Sequence, residues 1–115
     1  MQFINRSIAI IKPKQPFINW VNSTDPDSAC KISLEQARSD PTCILLPEFD
    51  TPKGARSYIE RIYDDVWLWE LRAWWTDERV YPKNRPFEKF CEWFDIELGS
   101  EVFDWLDKPI EKEEV

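Results

Sequence analysis

The chain reads as an α+β domain: a small three-stranded sheet packed against one long helix, with two or three shorter helices beside it. Three features point there. Two short apolar runs, residues 7–12 and 42–46, and one strictly alternating run, residues 94–98, have strand length. Apolar residues keep a helical spacing from Thr51 to about Trp75. Strands and helices mix without the βαβ alternation that builds a parallel sheet.

The first run, Ser7-Ile8-Ala9-Ile10-Ile11-Lys12, is β-branched, apolar on both faces, and stops at Pro13. Gln15-Pro16 opens a short helix because proline suits the first helical position, and Phe17, Trp20 and Val21 give it one apolar face. Asn22 to Ser28 is rich in turn residues. Ser33-Leu34-Glu35-Gln36 has capping-box spacing, and Asp40-Pro41 closes the helix it starts. The unbroken apolar run Thr42 to Leu46 lies between two prolines, which predicts a central strand covered on both sides.

Thr51-Pro52 starts the long helix. At 100° per residue, Ala55, Tyr58, Ile59, Ile62, Val66, Trp69 and Ala73 share its expected inner face, with Tyr63, Trp67 and Trp74 widening it. Leu68, Leu71 and Trp75 form a second stripe on the other side, with Arg72 placed to stack on Trp75. A helix apolar on two sides is either sandwiched between layers or presents a binding patch. Both readings stand at this level. Phe87, Phe90, Cys91 and Phe94 then define another amphipathic helix. After the strand 94–98, residues 99–106 fit either a continued strand through Val102, Phe103 and Trp105 or a further helix from Gly99-Ser100.

Residues 1–110 are expected to form one globular domain, with 111–115 a frayed acidic tail. The 115 residues carry a net charge of −7, divided as +1 over residues 1–57 and −8 over 58–115. A negative field disfavours nucleic acid and suits a basic protein partner, or solubility alone. Three cysteines without a CxxC pair, and no apolar N-terminal run, suggest a reducing cytoplasm and no membrane contact.

Absent residues exclude much chemistry. With no histidine there is no Ser-His-Asp or Cys-His system and no imidazole metal site. Two glycines, Gly54 and Gly99, cannot build a phosphate loop or dinucleotide fingerprint. Neither metal nor cofactor is expected. Ser28-Ala29-Cys30-Lys31 matches S-x-x-K without the companion motifs of the enzymes that use it. The acid pairs Asp64-Asp65, Asp77-Glu78 and Glu97/Glu101 fall on polar faces or in a turn, where solvated charge is the default.

Asn5-Arg6-Ser7, Lys12-Pro13-Lys14-Gln15-Pro16-Phe17 with Trp20, Leu46-Pro47-Glu48-Phe49, Trp75-Thr76-Asp77-Glu78 and Pro82-Lys83-Asn84-Arg85-Pro86-Phe87 with residues 92–98 form a wider pattern. It resembles a family of small, acidic, single-domain bacterial proteins over residues 5–106. The resemblance implies a bacterial, cytoplasmic, single-domain protein and supplies no mechanism. Members carry a histidine where this chain has Trp75 and another near Gly99, so no histidine-dependent site carries over.

Two functional expectations follow. The first is a non-enzymatic protein-interaction or regulatory module whose partner, another protein or a second copy, meets the helix surface at Leu68, Leu71, Arg72 and Trp75. The second is a small-molecule binder or enzyme with a pocket walled by Trp74, Trp93 and Trp105, and Arg85 as its polar contact.

Overall fold

A computed structural model describes residues 1–24 and 31–115. Along the chain run β1 (Gln2–Phe3), β2 (Ser7–Pro13), α1 (Gln15–Thr24), α2 (Leu34–Arg38), β3 (Thr42–Leu46), α3 (Pro52–Arg72), a 3-10 turn (Glu78–Val80), α4 (Phe87–Trp93), β4 (Phe94–Gly99) and β5 (Phe103–Asp104). The fold is α+β, with one long helix and a three-stranded antiparallel sheet as the sequence predicts. A second, two-stranded element, β1 with β5, is an addition to that expectation.

Local signals place most boundaries. The Thr51 hydroxyl accepts from the Gly54 N–H at the start of α3, and Pro52 occupies the first turn. Ser33 and Gln36 exchange both bonds of the capping box. Residues 99–106 are extended rather than helical, with β5 in their midst.

The strand order is β3-β2-β4, so β2 is central and β3 is an edge. This corrects the central placement expected for residues 42–46. Leu46 is buried and Ile44 half-buried on one side, while Cys43 and Leu45 stay exposed on the other beside Lys112 to Val115. An unbroken apolar run therefore marked two faces of unequal use. Residues paired across an antiparallel ladder share a face. Ser7, Ala9 and Ile11 thus lie with Leu46, Ile44 and Thr42, and with Leu98 and Ile96 opposite Ala9 and Ile11.

α3 crosses this face. Ile59 stands across a groove from Ile96 and Leu98 near one end, and the Thr42 hydroxyl donates to the Glu70 carboxylate near the other. α4 leans on α3 through rings. Trp67 meets Phe90 at 5.7 Å, Trp93 at 5.4 Å and Phe94 at 6.3 Å, all edge-to-face, and Tyr63 meets Phe87 at 5.2 Å and Phe90 at 5.7 Å. Phe17 of α1 closes the cluster against Phe94 at 5.1 Å.

The fully buried residues of α3 are Ala55, Ile59, Trp67 and Leu71. The expected inner face holds over the first half and then rotates: Trp69 is 51% exposed and Ala73 lies on the surface. A step of four residues turns a helix by about 40° beyond a full circle, so a stripe at that spacing drifts around the axis. α3 follows the drift because its first half faces the sheet and its second half also faces residues 80–94.

β1 and β5 prolong the β2–β4 ladder past the sheet. The Ile4 N–H donates to Val102 O at 3.0 Å, and Phe3 pairs with Phe103. Residues 4–7 separate Phe3 from Ile8 but only 100–102 separate Gly99 from Phe103, so the β1 side carries one extra residue, a bulge that turns the ribbon away. The molecule measures 48 × 29 × 27 Å, and its radius of gyration of 15.9 Å exceeds the roughly 13 Å of a compact chain this long.

Candidate functional site

The stripe expected on α3 is largely part of the core. Leu71 is 0% exposed, and Leu68 and Trp75 pack half-buried against the same cluster. Residues 78–82 close over it. Tyr81, itself buried, donates its hydroxyl to Trp75 O, and the Trp20 indole donates to Val80 O at 2.9 Å. Of the two readings left open, a sandwich describes the burial of Leu71. Arg72 remains on the surface, and its guanidinium pairs with Glu78 at 3.7 Å instead of stacking on Trp75. Beside it Trp69 and Trp74 are 51% and 44% exposed.

The four residues of the alternative pocket do not converge. Trp93 belongs to the aromatic cluster, Trp74 follows α3 on the surface, and Trp105 is 76% exposed beyond β5. Arg85 lines an open cleft of about 480 Å³ with Leu68, Glu78, Arg79, Tyr81, Pro82 and Lys83, without a tryptophan. Its guanidinium is already committed: Nε donates to Asp64 Oδ1 at 2.9 Å, and another nitrogen to Pro82 O at 2.8 Å. The bond to Asp64 holds its pKa above the ordinary value. Arg79 is likewise clamped on Asp77, whose own pKa the bond lowers. These arginines brace the connection between α3 and α4.

Glu70 is the acid that the sequence reading missed. It sits between Trp67 and Leu71 on the side of α3 that turns to β3, and burial raises its pKa, partly offset by the Thr42 hydrogen bond. Its hydrogen-bond partner, the Thr42 hydroxyl, is neutral. Cys43 and Cys91 are free thiols, while Cys30 and Ser28 of the S-x-x-K string lie outside the described residues. Among the described residues no three acids or cysteines gather in a way that could hold a metal. No helix of the described residues is long and apolar enough to cross a membrane.

Exposed large apolar side chains gather instead at the chain ends. Phe3 and Phe103 form an edge-to-face pair at 5.4 Å, 55% and 45% exposed, and Met1, Trp105, Leu106 and Ile110 are exposed as well. A strand through Phe103 is one of the two readings the sequence offers, but only the pairing reveals Gln2–Phe3 as its partner. No family model, curated protein or solved structure matches the chain. The reading of its function rests on its own residues.

Proposed function

We propose that the chain is a non-enzymatic protein-interaction module of the cytoplasm, and that a protein partner, a second copy included, seats on the terminal ribbon. The observation that carries this reading is the set Met1, Phe3, Phe103, Trp105 and Leu106, exposed on and next to β1 and β5, while the rings of α3 and α4 other than Trp69 are buried or half-buried. Contiguous exposed apolar surface is the usual mark of an interaction site. The accessible surface of 8294 Å² stands against about 6,600 Å² for a compact monomer of this size, an excess larger than the roughly 800 Å² that a standard interface removes from each partner. Residues 105–115 are all exposed and contribute much of it. Arg72, Trp69 and Trp74 give the acidic half a second exposed aromatic and cationic patch, while Leu68, Leu71 and Trp75 support it from below.

Replacing Phe3, Phe103 and Trp105 by serine tests the reading. Wild type should self-associate in sedimentation velocity at high micromolar concentration, or retain a partner from host extract. The triple variant should do neither while keeping its circular dichroism spectrum. A wild type that stays monomeric and retains nothing, or a variant that behaves as wild type does, overturns it.

A further inference from the structure

From a separate part of the surface, we infer that the free edge of β4 takes an extended peptide segment of a partner protein by strand addition, with apolar side chains at alternate positions and an aspartate or glutamate reaching Lys53 and Arg56. β4 pairs with β2 on one side only, and its outer edge carries no strand among the described residues. An edge strand presents unpaired N–H and C=O groups to any chain that lies about 4.8 Å away. Such an added chain sends every second side chain toward α3.

On that side lies a groove of about 240 Å³, walled by Pro52, Lys53, Arg56 and Ile59 of α3 and by Ile96 and Leu98 of β4. Its floor is apolar, and Leu98 remains partly exposed there. Its mouth is cationic. Arg56 is held in place by the Cys91 sulfur, 3.4 Å from a guanidinium nitrogen, and by the Phe87 ring, 5.2 Å below. Among the described residues neither Lys53 nor Arg56 has a carboxylate within ion-pair distance, although the chain carries 22 acids. Two cations without a carboxylate partner, over an apolar slot beside a bare strand edge, match an extended segment bearing one carboxylate.

The charges that usually guard an edge are neutralised here. On the opposite face of β4, Glu97 pairs with Lys12 at 3.1 Å, and Asp95 with Arg38 at 2.8 Å and Lys14 at 3.9 Å. An incoming strand therefore meets no row of free like charge.

A phage-displayed library of random octapeptides, selected on the full chain, tests the inference. Selected sequences should alternate apolar residues and contain an acid. As labelled synthetic peptides they should lose about tenfold or more in affinity, read by fluorescence anisotropy, against K53E/R56E, and against L98D. N-methylation of alternate peptide bonds should abolish binding, because it removes the ladder. The ribbon variant Phe103→Ser should bind as wild type does, which separates this site from the terminal one. K53Q/R56Q serves as the second pair if charge reversal unfolds the chain, as judged by thermal melts. Absence of enrichment over the L98D chain, equal affinity for wild type and the charge variants, or loss with Phe103→Ser each overturns the inference.

Discussion

Phe90 and Phe103 belong to the same aromatic stretch and meet opposite fates. Phe90 is fully buried between Tyr63, Trp67, Phe87 and Phe94, whereas Phe103 pairs with Phe3 and stays 45% exposed. Both sit in regular structure. The difference is the number of layers: α3, α4, α1 and the sheet enclose Phe90, while β1 and β5 form a two-stranded ribbon past the end of the sheet. A ring stabilises a fold in proportion to the water it loses, so residue type alone says little about its contribution.

The largest expected effect tests this contrast. Trp67→Ala removes the ring on which Phe90, Trp93 and Phe94 converge, and should cost roughly 3–5 kcal/mol in urea unfolding. Against a typical total of about 5–15 kcal/mol, that leaves a marginal domain. Phe103→Ala should cost less than about 1 kcal/mol. Equal costs would break the comparison, since the ribbon would then be part of the cooperative core.

Two milder changes sharpen it. The Trp67 indole N–H is buried without a hydrogen-bond partner among the described residues. Trp67→Phe removes that orphan donor along with some ring volume, and should cost about 1–2 kcal/mol, well under the alanine value. Tyr63→Phe deletes the hydroxyl that donates to Arg85 O at 2.7 Å and should cost about 1 kcal/mol, chiefly by loosening residues 82–86. Hydrogen exchange on those amides would register the loosening. In the ribbon, a Phe3/Phe103 double-mutant cycle should give a coupling of about 0.5 kcal/mol, the low end for an aromatic pair half in water.

The same contrast explains what could be read from the sequence. Caps, prolines and the alternation of 94–98 are local signals, and they located α2, α3, α4 and β4 closely. Leu71 and Trp75 read as a second apolar stripe whose cover, another layer or a partner, stayed open, because nothing in residues 51–75 announces that Tyr81 will fold over it. The run 42–46 looked central because an apolar residue left exposed, such as Leu45, is indistinguishable in sequence from a buried one. The ribbon and the β4 groove were invisible for a third reason. Each joins residues far apart in the chain, Phe3 with Phe103 and Lys53 with Leu98, and pairing at that range leaves no spacing to detect.

Glu70 gives the smallest effect and the most particular one. It stands at the border of the packed region, where burial raises its carboxyl pKa above the ordinary value for a glutamate and the Thr42 hydrogen bond opposes the shift only in part. A folded-state pKa above the unfolded one means that the folded chain binds more protons in the interval between them. Glu70 therefore lets the fold be most stable below the unfolded value and weakens it as pH rises through the folded one. Asp77, with its lowered pKa, acts in the opposite direction, as do paired carboxylates in general, so the wild-type profile alone mixes the two signs. Glu70→Gln separates them. Its amide oxygen still accepts from Thr42, and it carries no charge at any pH. The stability difference, variant minus wild type, should be smallest where both states are protonated, grow more positive as pH rises from the ordinary carboxylate range through the folded Glu70 value, and then level off. Urea midpoints at a series of pH values measure it directly. A difference that is flat across the series, or negative at pH 7, would mean that water reaches Glu70 as freely as it reaches Phe103.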